Sequence, residues 1–180
     1  MINNMKHWLG NFLLRDTKIP YSTVSSTATF KVPVTNVNGE SITSFNTLYS
    51  LQYCTFGVQS KKTSNDTSGV LICLGSGSTL QTVNDTYCLE SDITQKLTLG
   101  SITSNVDYLD DKVRLVLTAR YTNNSEENLT ISEAGLATHV VGNSGNTIVL
   151  LDRKSVADGN FTPVTLGSGE GKTFVYAIEL

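Results

Sequence analysis

Val113-Arg114-Leu115-Val116-Leu117-Thr118-Ala119-Arg120-Tyr121 is the stretch whose reading decides the fold. Val113, Leu115, Leu117, Ala119 and Tyr121 alternate with Arg114, Val116, Thr118 and Arg120, a period of two that fits a half-buried β-strand. Downstream, Asn123-Asn124-Ser125 breaks the pattern, Leu129-Thr130-Ile131 resumes it, and Gly135 and Gly142 punctuate the residues beyond. Thr173-Phe174-Val175-Tyr176-Ala177-Ile178 is a further short alternating run. Several short strands with regular turn signals predict a sandwich or barrel.

Upstream the text is also β-like. Residues 27–34 alternate, Asn38-Gly39 is a two-residue hairpin signal, and 41–47 is the expected return strand, with Pro33 suited to an edge. An aromatic-bearing strand is expected over 49–58 and a polar loop over 61–69. Val70-Leu71-Ile72-Cys73-Leu74 is apolar throughout, as a buried strand requires, while 75–92 reads as an irregular loop and 93–102 as one more strand. No linker composition and no internal repeat divides the chain.

The N-terminus has a different period. Met5, Trp8, Leu9, Phe12 and Leu13 stand at i, i+3, i+4, i+7 and i+8, one face of a short amphipathic helix. The run is too short and too interrupted for a membrane span, and no small-residue cleavage site comes after it. An isolated helix of this length is marginal in water, so it either packs on its own domain or docks on a neighbouring subunit. The expected organisation is a helical arm over 1–16 and a β-sandwich domain over 17–180, jelly-roll-like or immunoglobulin-like.

A chain of 180 residues buries roughly two-thirds of its unfolded surface without staples. Only 16% of residues are charged and the net charge is −3, with no Lys/Arg cluster, so nothing resembles a nucleic-acid footprint. Cys54, Cys73 and Cys88 lack metal-ligand spacing and read as plain thiols in strands, which suits a reducing cytoplasm. The sequons at Asn65, Asn84, Asn123, Asn128 and Asn160 are expected by chance in so Asn- and Thr-rich a chain.

Motifs for chemistry fail on inspection. Gly167-Ser168-Gly169-Glu170-Gly171-Lys172-Thr173 ends like a phosphate-binding loop, but Leu166 stands where the first Gly is needed and a strand comes next instead of a helix. Gly75-Ser76-Gly77-Ser78 lacks the third Gly of a dinucleotide fingerprint. Asp107, Asp110 and Asp111 lack calcium-loop spacing and read as a solvated turn. His7 and His139 have no nucleophile around them. No catalytic residue, cofactor or metal site is expected.

Two segments together carry a resemblance. Val70-Leu71-Ile72-Cys73-Leu74-Gly75-Ser76-Gly77-Ser78-Thr79 followed by Asn84-Asp85-Thr86-Tyr87-Cys88-Leu89-Glu90-Ser91 resembles a stretch of tailed-bacteriophage virion proteins. Leu129-Thr130-Ile131-Ser132-Glu133-Ala134-Gly135-Leu136, then Ile148-Val149-Leu150-Leu151-Asp152-Arg153 and Pro163-Val164-Thr165-Leu166, is similar to their C-terminal β-domain. Leu80-Gln81 departs from the Pro expected after the Gly-rich turn, and Asp152-Arg153 from the usual Ala-Arg.

The resemblance implies a non-enzymatic building block, made in the bacterial host cytoplasm, that assembles as a symmetric oligomer in the virion. Its place would be a ring or collar of the neck or tail, with head decoration or fibre anchoring as the second reading. Its partners would be copies of itself and portal, neck, tail or capsid proteins. Residues expected at subunit interfaces are Met5, Trp8, Leu9, Phe12 and Leu13 of the arm, and Glu133 and Arg153. Glu133 would sit on a tight Ser132-Glu133-Ala134-Gly135 bend and accept backbone N–H bonds or an Arg such as Arg153 from another subunit, or else stand as an unpaired surface carboxylate of little consequence. The alternative class is a host-surface glycan-binding module, with Tyr49, Tyr53, Tyr87, Tyr108 and Tyr121 as stacking platforms.

Overall fold

The computed structural model describes residues 27–46, 70–80, 87–109, 112–142 and 145–179. The expected helical arm (Met5, Trp8, Leu9, Phe12, Leu13), the strand over 49–58 and the loop over 61–69 lie outside the described residues. The described part is all-β. The strands are β1 (Thr27–Thr35), β2 (Ser41–Asn46), β3 (Val70–Gly75), β4 (Leu97–Tyr108), β5 (Val113–Asn123), β6 (Leu129–Ile131), β7 (Glu133–Gly142), β8 (Gly145–Ser155), β9 (Val164–Leu166) and β10 (Gly171–Glu179). They form two three-stranded sheets, ordered β3-β7-β8 and β10-β5-β4, and two ribbons, β1-β2 and β6-β9. The pairings are antiparallel.

β5 is the centre of its sheet, and its alternation is the reason. Leu117, Ala119, Tyr121 and Asn123 are buried, while Thr118 and Thr122 are half-buried and Arg120 is exposed. β10 answers in register, with Tyr176 opposite Leu117 and Phe174 opposite Ala119. The Tyr121 and Phe174 rings meet edge to face, 6.3 Å apart at an interplanar angle of 64°, the arrangement that ring quadrupoles favour. These side chains share one hydrophobic cluster with Ile72 and Leu74 of β3, Ala134 and Leu136 of β7, and Val149 and Leu151 of β8. Each such fully buried aliphatic or aromatic side chain stabilises by about 1.5–3 kcal/mol.

The β3-β7-β8 sheet is covered on both faces. Ile72 and Leu74 face the main cluster, whereas Cys73 joins Leu89, Ala137 and Leu150 in a second cluster on the opposite face. That is why the apolar run of β3 does not alternate with polar residues. Three polar ties join the two larger sheets: Tyr121 Oη donates to the Ile72 carbonyl at 2.5 Å, Tyr176 Oη to Asp152 Oδ2 at 3.1 Å, and Lys154 Nζ to the Ala177 carbonyl at 2.8 Å. The Lys154 ammonium also lies 4.7 Å from the Tyr176 ring centre.

Some boundaries differ from the sequence expectation. The first hairpin turns over five residues, not two, because Asn36 closes it: its amide donates to the Glu40 carbonyl and its side-chain oxygen accepts from the Asn38 and Glu40 amides. Residues 94–96 form a 3₁₀ turn, so β4 starts at Leu97 and runs six residues past 102 to Tyr108. The bend expected over Ser132-Glu133-Ala134-Gly135 shrinks to Ser132 alone, and Glu133 opens β7. Gly135 is not a turn residue but a mid-strand one. Leu150 Cδ1 and Leu89 Cδ2 occupy the space that a side chain there would need.

Candidate functional site at the buried Glu133–Arg153 pair

β7 brings Glu133 onto the face of the sheet that also carries Gly135 and Ala137, and it is fully buried there. Directly opposite on β3 stands Gly75, and on β8 the diagonal neighbour is Arg153, paired with Gly135. Arg153 reaches this face only through an irregularity. Leu136 pairs with Asp152 but Ala137 pairs with Leu150, so Leu151 is an extra residue, a β-bulge. Without it, Leu150 and Arg153, three apart, would point to opposite faces.

The Glu133 carboxylate is saturated. Oε1 accepts from the Gly77 amide at 3.1 Å and the Ser91 amide at 2.9 Å. Oε2 accepts from the Glu90 amide at 3.2 Å and from Arg153 Nε at 2.7 Å. A carboxylate offers about four lone-pair sites, and all are taken. The two loop segments are thereby strapped to the sheet by one anion. Ser132 reinforces the strap, its hydroxyl donating to the Gly77 carbonyl at 2.7 Å and its amide to the Gly75 carbonyl at 2.9 Å.

Both glycines of Gly75-Ser76-Gly77 are steric necessities. A Cβ on Gly75 would overlap the Glu133 carboxyl group, and one on Gly77 would overlap Glu133 Oε1 and the Glu90 side chain. Around the rim, Glu90 Oε2 accepts from the Thr79 amide at 2.8 Å, and Arg153 Nη2 donates to the Thr79 carbonyl at 3.3 Å and lies 4.0 Å from Glu90 Oε2. The Thr79 hydrogen bonds hold the Glu90 carboxyl below its ordinary value, with a smaller contribution from Arg153. At the outer edge of β3, Thr94 Oγ1 accepts from the Leu74 amide at 2.9 Å and donates to Asp92 Oδ1. Burial, then the charge of Asp92, pushes the neighbouring Cys73 thiol up to about 12. Burial first, and then the charge of Glu133, raises Cys88 as well.

Chemically this is a clamp. A buried ion pair whose remaining lone pairs meet backbone amides holds its surroundings in one geometry, and removing either member leaves an uncompensated charge. The sequence offers Glu133 backbone N–H groups or an Arg of another subunit as partners. Within the chain Glu133 takes three backbone amides and Arg153 itself, and both side chains are buried. The Gly75-Ser76-Gly77-Ser78 stretch, which fails as a dinucleotide motif, does give one amide, that of Gly77, to an anion, the protein's own Glu133, whose other two amide donors are Glu90 and Ser91. Gly77, Glu90, Ser91 and Thr79 escaped the sequence reading. The available signal was a Gly-x-Gly turn leaving a buried strand, since glycine there marks a close approach of the backbone by another group.

The other singled-out residues fall elsewhere. Gly167-Ser168-Gly169-Glu170 is the turn between β9 and β10, with Gly169 at φ +74° and Glu170 Oε2 accepting from the Gly167 amide. Asp107 is the penultimate residue of β4 and pairs with Arg114 at 2.7 Å. Asn123 is buried and donates to the Glu127, Leu166 and Gly167 carbonyls. Tyr121 is in the core whereas Tyr108 is 83% exposed; Tyr49 and Tyr53 lie outside the described residues. Among the described residues no group of His, Cys, Asp and Glu is placed to hold a metal ion, and no helix is long and apolar enough to cross a membrane. No protein-family model, curated protein or solved structure matches the chain.

Proposed function

We propose that the chain is a non-enzymatic structural component of a tailed-phage particle, built as a β-sandwich and working as a symmetric oligomer. One observation carries the reading. The two sequence segments that resemble virion proteins, 70–91 and 129–153, meet at a single buried point: Gly77, Glu90 and Ser91 of the first close on Glu133 and Arg153 of the second. Residues far apart in the chain that resemble one family and also interlock behave as one inherited unit. The shared core of the β3-β7-β8 and β10-β5-β4 sheets supports the sandwich architecture.

The clamp supports a building-block role because its polar groups act on the chain's own backbone, fixing the shape of two loops. A ring or collar in the neck or tail region is the favoured place, head decoration or fibre anchoring the second. The test is cryo-electron microscopy of intact particles from the source lysate. Density matching this fold in a ring between head and tail supports the reading, and density on the capsid surface keeps the class and moves the place. Its absence from intact particles overturns the reading. The glycan-binding alternative rests on exposed Tyr87 and Tyr108, and a glycan array with no signal removes it.

A further inference from the structure

Among the described residues β4 is an edge left open. Its sequence, Leu97-Thr98-Leu99-Gly100-Ser101-Ile102-Thr103-Ser104-Asn105-Val106-Asp107-Tyr108, pairs with β5 on one side and with no other described strand. Natural edge strands are blunted by Lys, Pro, frequent bulges or a cover. β4 has neither Lys nor Pro, and its one irregularity lies between Leu99 and Ile102, leaving 102–108 in unbroken register with β5. Its single charge, Asp107, is neutralised by Arg114 of the same chain at 2.7 Å.

Among the described residues the core-facing side of β4 is also uncovered. Ile102, Ser104, Val106 and Tyr108 face the core side, opposite Ala119, Leu117, Leu115 and Val113 of β5, yet Val106 and Tyr108 are 42% and 83% exposed. Behind Val106 lies a cavity of about 30 Å³, lined in part by Leu115, Leu117, Leu136 and Tyr176. The opposite edge of the same sheet contrasts sharply: Phe174, Tyr176 and Ile178 of β10 are all buried. Only the β4 side of this core ends in open apolar surface among the described residues.

We infer that β4 pairs antiparallel with β4 of a second copy about a two-fold axis at Ser104, joining two β10-β5-β4 sheets into one of six strands. The proposal rests on the reading of the chain as a self-assembling building block. Self-complementarity selects the occupant. With Ser104 opposite Ser104, Ile102 of one copy lies beside Val106 of the other, at the mouth of the cavity. Thr103 then faces Asn105, and Asp107 faces Ser101, so no like charges meet across the seam.

The experiment is sedimentation equilibrium of the full chain, with circular dichroism of each variant. The parent should have twice the single-chain mass of 19.5 kDa, or an even multiple of it, and Val106→Lys should lose that pairing with the β-spectrum unchanged. Ser104→Cys should oxidise to a covalent dimer that reductant releases, under conditions where the parent forms none; this arm decides should Val106→Lys fail to fold. A monomeric parent overturns the proposal. An oligomer whose mass is unchanged by Val106→Lys, without a Ser104→Cys cross-link, overturns the seam yet leaves the self-assembling reading standing.

Discussion

Glu133 is the residue on which the most backbone depends. Its two oxygens hold three amides and one guanidinium, so Glu133→Gln replaces an acceptor by a donor and strands the Arg153 charge. We expect a loss of about 3–5 kcal/mol, read as a fall in the urea midpoint, with Glu133→Asp failing to restore it because the shorter side chain cannot span both loops. Glu90 gives the rim a pH dependence. Its carboxyl is held below the ordinary value of 4.5, so its contribution is present above that pH and is lost as the pH falls through the lower folded value. Thermal melts should therefore show a drop on acidification below about 4.5 that Glu90→Gln flattens. From the sequence, Glu133 was legible as an acceptor of backbone N–H groups. That its amide donors are Gly77, Glu90 and Ser91 was not, because nothing in local periodicity tells which distant loops fold over a given strand.

Among the elements, β5, β6, β9 and β10 follow their alternation closely, and β3 follows the both-faces-buried pattern of an apolar run. β8 does not announce itself in the same way. Ile148-Val149-Leu150-Leu151 is apolar at every position, so the bulge at Leu151 leaves no mark in the hydrophobic pattern, yet it decides which side of the sheet Arg153 faces. Deleting Leu151 would remove the extra residue itself and leave 152–155 facing as before, with Arg153 still toward Glu133, at the loss of one buried leucine. The expected outcome is a chain that still folds and keeps the near-ultraviolet signal of packed aromatics, but loses about 2–5 kcal/mol by denaturant titration. Tyr121→Phe is the milder test of how the two larger sheets are tied. It leaves the Ile72 carbonyl without its buried donor and should cost about 1–3 kcal/mol by denaturant titration, with the fold intact.

At the scale of the molecule, the two larger sheets share one cluster, and β7 is buried along residues 133–138 between the two faces it serves. Cys73 reports on this arrangement. With its thiol pushed up to about 12, only about one molecule in ten thousand carries the thiolate at pH 8. Alkylation of Cys73 by iodoacetamide, located by peptide mass spectrometry, should accompany global unfolding and track the urea transition. Modification in the absence of denaturant at the rate of a free thiol would show that the second cluster opens locally. The order of the pairings sets a further condition. β10, the last described strand, supplies Phe174, Tyr176 and Ile178 to the same cluster as Leu117, Ala119 and Tyr121 of β5. A polypeptide cut before Gly171 therefore leaves Leu117, Ala119 and Tyr121 without the strand that closes their flank. Such a fragment presents apolar surface and the unpaired edge of β5, the two features that draw aggregation.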